Sequence, residues 1–407
     1  MLCLTGISEL LTMPRGPRDA SDPLGLVTDA ALVIDAGRVH WLGPRGDLPR
    51  ELAGIATQDL GGRVVLPGLV DPHTHLVFAG DRASDFEARC RGETYESIAR
   101  RGGGIRTTVR ATRAASFEAL FEGARPRLTS LLEAGVTTVE IKSGYGLDVA
   151  TELRQLGVIR ALGRAGPQRV RATLLFHLMP EAYATDRPAG IAALSELMAL
   201  AVSEGLADDV DVFCEEGAFA PHEADELLSA ARAHGLAIKA HVDQRSATGF
   251  ASRAAALGAR SLEHLEQLDD AGIDAMAAAG TVAVLLPSAS LFLGDAARPP
   301  VSRLRARGVP MALATDLNPG SSPTFDPWLV ATLGCTWYGL TPFEALRGLT
   351  AEAARALGLE DGTGSLVAGG PADLCVARGA RWQDLLYGLG HRPIAETWIG
   401  GQRVVRA

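Results

Sequence analysis

Apolar residues recur along this chain in two rhythms. Between about Leu66 and Leu359, short strand-like runs alternate with Ala/Leu/Glu/Arg-rich stretches of helical period, the pattern of βα units around a parallel sheet. The runs are "GLVDPHTH", "TTVEIKSG", "VRATLLFH", "DDVDVFCEE", "LAIKAHVDQ", "RSLEHLEQ", "TVAVLLPS" and "VPMALATD". Eight such strands interleaved with helices predict an α/β fold, a (β/α)8 TIM-like barrel of about 250 residues plus insertions. A doubly wound open sheet is the alternative, but the Gly-rich phosphate turn expected after its first strand is missing. Helix punctuation agrees with the barrel. Thr341 can cap a helix with Pro342 at its first position and Glu344 on the next turn, and Thr350 can cap another that Gly358 ends. The stretch "FAGDRASDFEARCRGETYESIARRGGG" is too long for a simple crossover, so helices and loops over the barrel mouth are expected there.

The two ends have the other rhythm. "ALVIDAGRVHWLG" predicts strand, turn at Gly37, strand, and "IAETWIGGQRVVRA" predicts a hairpin at Gly400-Gly401. Neither end alone has enough strands to bury a face. The expectation is therefore one composite β-sandwich domain from residues 1–66 and 360–407, with the barrel, 67–359, inserted between them.

Composition adds exclusions. The 407 residues are 47% hydrophobic and 21% charged, an ordinary soluble balance, and the formal charge of -9 argues against a nucleic-acid surface. The basic stretch from Arg100 to Arg113, "RRGGGIRTTVRATR", is local and suits a small anionic substrate or a solvated face, while Arg110 and Arg113 can equally be helix-surface or inter-subunit charges. The cysteines (Cys3, Cys90, Cys214, Cys335, Cys375) are scattered and include no Cys-x-x-Cys, so neither disulfides nor a thiolate zinc site is indicated. No window approaches the ~18 apolar residues of a membrane span and the N-terminus lacks a signal-peptide pattern. A cytoplasmic protein is expected.

The candidate chemistry lies at strand ends. In "VVLPGLVDPHTHLVFAG", His73 and His75 are separated by one residue, so extended backbone points both imidazoles the same way. Alone, the pair also fits one core and one solvent-facing histidine. The barrel changes the weighting, because catalytic groups of this fold gather at the C-terminal ends of strands. Five of the 9 histidines fall there: His73, His75, His177, His241 and His264. Asp316 joins them at the end of the eighth run, whereas His40, His222, His234 and His391 fall elsewhere and read as structural. Imidazoles plus a carboxylate suit one divalent metal ion, Zn or Fe, which would activate water. The assigned ligands are His73, His75, His241 and Asp316, with Asp316 also the general base. A two-metal site often needs a carbamylated lysine on strand four. That strand ends "DVFCEEG", where only Cys214, Glu215 or Glu216 could replace it, so one ion is expected and His264 is assigned to transition-state stabilisation.

With these residues in place the chain resembles the amidohydrolase superfamily. Within it, "DPHTHLVFAGDRASDFEAR", "GGGIRTTVRATRAAS", "EIKSGYGLD" and "ATDLNPGSSP" resemble the imidazolonepropionase family over nearly the whole length. The resemblance implies hydrolysis of 4-imidazolone-5-propanoate to N-formimino-L-glutamate, the third step of histidine degradation, by a homodimer. It also implies that Arg82, Tyr145, His177 and Gln244 contact substrate, Gln244 acting beside Asp316 and His264. Asn318, Gly320 and Ser321 would hold the carboxylate-bearing part or the product. An arginine suits that anion as a two-pronged clamp, and backbone at Gly320 can approach it closely because no Cβ intervenes. Three departures from the family pattern stand out, "LLFHLMPEAYA" around His177, Val242 and Glu263, and none is expected to bear on a ligand. The rival readings are a deaminase-like or other cyclic-amide hydrolase, and a barrel that serves as a non-catalytic scaffold. The intact ligand set speaks against the scaffold.

Overall fold

The structure, a computed structural model, describes residues 1–15, 22–100 and 102–406. Arg101, within the basic stretch noted above, lies outside them. Four strands open the chain: β1 (Leu2–Leu11), β2 (Leu26–Asp35), β3 (Arg38–Pro44) and β4 (Ala56–Pro67). Eight follow in the middle: β5 (Leu69–Asp71), β6 (Val136–Lys142), β7 (Arg169–Phe176), β8 (Asp209–Cys214), β9 (Ala237–Val242), β10 (Ser261–His264), β11 (Val282–Leu285) and β12 (Met311–Leu313). Each falls on one of the apolar runs read from the sequence, β6 and β7 starting one residue ahead of theirs. They pair in parallel and in sequential order, and nearly every residue is buried, as strands filled inside and covered by helices outside must be.

The barrel closes just beyond its first and last strands. Asp316 N–H donates to His73 O at 3.0 Å and His75 N–H to Leu317 O at 2.9 Å. Closure thus runs through the residues that carry the candidate chemistry. On the other side, Lys142 N–H donates to Thr74 O at 2.8 Å and Thr74 Oγ1 to Glu140 O at 2.6 Å. The His-x-His segment is therefore clamped to both neighbouring strands.

The C-terminal strands β13 (Leu374–Ala377), β14 (Ile394–Ile399) and β15 (Gln402–Arg406) join those of the N-terminus. The composite domain is one mixed sheet in the order β15-β14-β13-β4-β1-β2-β3. Its outer hairpins turn at Gly37 (φ 79°) and at Gly400 and Gly401 (φ 56° and 72°), conformations that favour glycine. A side chain at Gly37 would meet Gly400 O at 3.2 Å, so the sheet curls until these two turns touch. Leu4, Leu32, Val65, Val376 and Trp398 fill the space it encloses. Its other face shares the barrel's core, where Leu66, Cys375 and Ile394 pack with Leu69, Val136 and Trp328.

Thr341 caps the helix Pro342–Gly348 in a complete capping box with Glu344. Thr350 does precede the helix Ala351–Ala356, but its hydroxyl donates to Leu346 O at 2.7 Å and does not cap. The preceding helix ends just upstream, and its unpaired carbonyl takes the hydroxyl. The long insertion forms the helices Ala83–Cys90, Tyr95–Arg100 and Ile105–Ala114 at the barrel mouth. All five cysteines are free, and among the described residues no helix is long and apolar enough to cross a membrane.

Candidate metal centre and active site

Three lone-pair donors meet at the closure point. His73 Nε2 is 3.1 Å from His75 Nε2, and Asp316 Oδ1 is 3.3 and 3.4 Å from the two. The His241 ring joins them, with its centroid 4.5 Å from that of His73. The potential ligand atoms of His73, His75 and His241, and those of His73, His264 and Asp316, lie within 4.8 Å of one another, all on buried residues. Imidazoles and a carboxylate that converge in a dry site need a positive charge between them, a proton or a metal ion. The donor set fits a divalent ion.

The remaining ring nitrogens show why these atoms point inward. His241 Nδ1 meets Asp211 Oδ1 at 3.0 Å and Glu263 lies against His73 Nδ1, so in both rings the proton belongs on Nδ1 and Nε2 keeps its lone pair. Burial works against charge on His73, but Glu263 overrides it and lifts the imidazole to about 9, so an ion binding at Nε2 must displace a second proton from that ring. Burial holds His75 down at about 4. Burial also opposes charge on Asp316, yet the His73 and His75 rings beside it hold it well below the ordinary carboxylate range. Glu263, a departure expected to spare the ligands, in fact touches one of them.

Beneath these rings lies a charge cluster that the sequence reading missed. Lys142 Nζ is 2.8 Å from Glu140, 2.7 Å from Asp211 and 3.1 Å from Glu263, and Lys239 Nζ is 2.7 Å from Glu140, 3.1 Å from Glu263 and 3.0 Å from Pro72 O, all fully buried. A further ligand-like group, Asp211, His241 and Glu263, is thus already neutralised by the Lys142 ammonium. The strand-four substitutes considered from sequence do not reach the centre. Burial pushes the Cys214 thiol up to about 12, and Glu215 accepts from Arg245 N–H (2.9 Å), Glu216 N–H (3.0 Å) and Ser246. Neither they nor Glu216 line the cavity.

A cavity of about 450 Å³ opens above the candidate ligands. It is lined by Arg82, Tyr145, His177, Gln244, Asn318, Gly320 and Ser321, every substrate-facing residue expected from sequence, together with His75, His241, His264 and Asp316. Burial lowers His177 to about 3, leaving a neutral ring whose centroid is 6.1 Å from that of His75. Burial and the Asp316 charge raise Tyr145, whose hydroxyl keeps its proton.

With this geometry fixed, comparison places the chain among known proteins. The amidohydrolase family profile matches residues 64–404. The chain is 47% identical over 388 residues to an imidazolonepropionase of Shewanella baltica, covering 94% of each. It is 47% identical over 387 residues to one of Shewanella oneidensis, covering 94% of this chain and 95% of that one. The chain belongs to the imidazolonepropionase family of amidohydrolases. Solved structures share the fold at low identity. A 5-methylcytosine deaminase from Klebsiella pneumoniae superposes with TM-score 0.73 at 18% identity, covering 100% of this chain and 98% of that one. A zinc-bound adenosine deaminase from Xanthomonas campestris gives 0.70 at 19%, with 99% and 92% covered.

The motifs that mark the imidazolonepropionase family meet in space. In "SGYGL", buried Glu152 accepts from the amides of Gly144 (2.8 Å), Gly146 (2.7 Å) and Leu147 (2.9 Å), which holds Tyr145 at the cavity wall. Arg113 of "TVRATRAAS" donates to Gly146 O at 2.6 Å and Leu147 O at 2.9 Å, and Arg110 to Gly102 O at 2.7 Å. These arginines tie loops together. In "LNPGSS", Asn318 Oδ1 accepts from both Gly320 and Ser321 N–H at 2.8 Å, so here those amides shape the loop instead of facing the cavity. Arg82 Nε pairs with Asp85, which also accepts from Gly104 N–H at 2.9 Å. Sequence reasoning missed Arg89, two helical turns on from Arg82. It also lines the cavity, stacks on Phe292 with its guanidinium carbon 4.7 Å from the ring centre, and reaches Gly320 O at 3.5 Å. The i, i+7 spacing was the available signal.

Proposed function

We propose that this chain is an imidazolonepropionase, opening 4-imidazolone-5-propanoate to N-formimino-L-glutamate in histidine degradation. The near-full-length likeness to imidazolonepropionases carries the reading. Water oxygen bonds to the ring carbonyl carbon, the ring C–N bond breaks, the carbonyl becomes a carboxylate and the freed nitrogen takes a proton. His73, His75, His241 and Asp316 would hold one divalent ion, zinc or iron, and its chemistry is to polarise the carbonyl and acidify water. Asp316 takes the water proton through its free oxygen. His264 faces the carbonyl oxygen and stabilises the charge that develops there. Gln244, Tyr145 and His177 orient the ring, and Arg82 with the Asn318–Ser321 loop takes the propanoate. We also propose the division into 1–66 with 360–407 and 67–359. Five free cysteines fit a reducing cytoplasm, and the homodimer rests on family likeness.

Freshly generated substrate tests the reading. The expected result is loss of the ring with one formimino-glutamate formed per ring lost. Release of ammonia from other heterocycles in its place would favour the deaminase-like reading. For the anion clamp, Arg82→Ala is expected to raise KM for the propanoate substrate about 10- to 100-fold, the worth of a charge-assisted hydrogen bond, and to leave KM for a neutral analogue within a few-fold. Equal effects on both would remove Arg82 from the carboxylate.

A further inference from the structure

The chain leaves β10 through two consecutive left-handed residues, His264 (φ 75°) and Leu265 (φ 74°). Neither is glycine, so the bend is strained, and such strain persists only where the surroundings over-determine it. Here Leu265 N–H donates to Val242 O at 3.3 Å and Gln267 N–H to Asp243 O at 2.7 Å. The bend folds Glu266 back until its Oε2 lies 4.0 Å from His264 Nδ1. Both atoms are buried, and neither has a hydrogen-bond partner. The other carboxyl oxygen is pinned. Ser290 Oγ donates to Glu266 Oε1 at 2.8 Å, and Tyr338 OH lies 2.7 Å from Ser290 Oγ. His264 lines the cavity, whereas Glu266 does not.

We propose that Glu266 is a positioning residue that takes the His264 Nδ1–H, fixing the ring's tautomer and orientation so that Nε2 is presented to the substrate's carbonyl oxygen. The role given to His264 rests on the ring-hydrolase reading above. A shift of about 1 Å brings the pair within hydrogen-bond range, and such bonds are commonly long before substrate tightens the site. A mobile imidazole would lose the geometry on which electrostatic stabilisation depends, and Glu266, Ser290 and Tyr338 together form a rigid stop behind it. Burial lifts the Glu266 carboxyl to about 8, so near neutrality it is mostly an acid, whose carbonyl oxygen accepts from the imidazole without a buried charge.

The test compares Glu266→Leu and Glu266→Gln with wild type in parallel. Glu266→Leu is expected to lower kcat about 10- to 100-fold, the usual effect of losing such an outer partner, with KM within about 3-fold and metal content unchanged. Glu266→Gln, whose amide oxygen accepts the same bond, is expected to stay within about 3-fold of wild type. An active Leu variant, or a Gln variant as slow as the Leu variant, overturns the proposal. Should the Leu variant fail to fold, Ser290→Ala and Tyr338→Phe remove the pins. Each is expected to lower kcat at unchanged KM, and full activity in both overturns the proposal. A wild type that does not consume the imidazolone overturns the ring-hydrolase reading, a separate outcome.

Discussion

Replacing His73 with alanine is expected to abolish turnover and to empty the centre of its ion. His73 stands among the other proposed ligands: its Nε2 is 3.1 Å from His75 and 3.3 Å from Asp316, and its ring centroid is 4.5 Å from that of His241. Its loss also takes the imidazole partner from buried Glu263, leaving that carboxylate to Lys142 and Lys239. Polarisation by an ion contributes several kcal/mol to the barrier, so activity is expected to fall by at least about a thousand-fold. Asp316→Asn is expected to be as inactive but to keep more metal, because three imidazoles remain while the proton acceptor is gone. His264→Asn is expected to slow the reaction and leave the ion bound. Metal analysis on each purified variant separates the three, and loss of metal from His264→Asn would make it a ligand.

Lys142→Met is expected to destabilise the protein by about 3–5 kcal/mol, the cost of removing one partner from a buried ion cluster. Lys142 is fully buried and within 3.1 Å of Glu140, Asp211 and Glu263, so without it Lys239 is the ammonium left beside Glu140 and Glu263, and Asp211 keeps the His241 ring. Desolvation decides the size of the effect. The Arg91–Glu87 pair is also in contact but 73% and 61% exposed, and Arg91→Ala is expected to cost less than ~1 kcal/mol. Urea midpoints at unchanged m-value measure both. A Lys142→Met midpoint equal to wild type would mean that the carboxylates are held neutral by other means.

The barrel was legible because its eight strands leave short strand-like runs between helical stretches, even where inward charges such as Glu140, Lys142, Lys239 and Glu263 interrupt them. The hairpins at Gly37 and Gly400-Gly401 were legible because their left-handed backbone selects glycine. The candidate ligands came from placing polar residues at strand ends, and the structure brings them together. The charge cluster below carried a signal that went unused. Lys239 precedes His241 by two residues, and Lys142 follows Glu140 by two, so each pair shares one face of its strand. Other features have no local signature. Closure of His73 on Asp316 joins residues at opposite ends of the barrel sequence. The double left-handed bend at His264 and Leu265 occurs without glycine, so nothing announced that Glu266 would return behind the imidazole. Glu263 counted as a neutral departure until β10 set it facing inward against His73.

Metal content and ring hydrolysis measured on the same sample test most directly the claim that one ion in this His/Asp centre drives the reaction. The account predicts one divalent ion per chain, activity that disappears as a chelator removes it, and recovery on adding back one equivalent. Full activity in protein stripped of metal would contradict it.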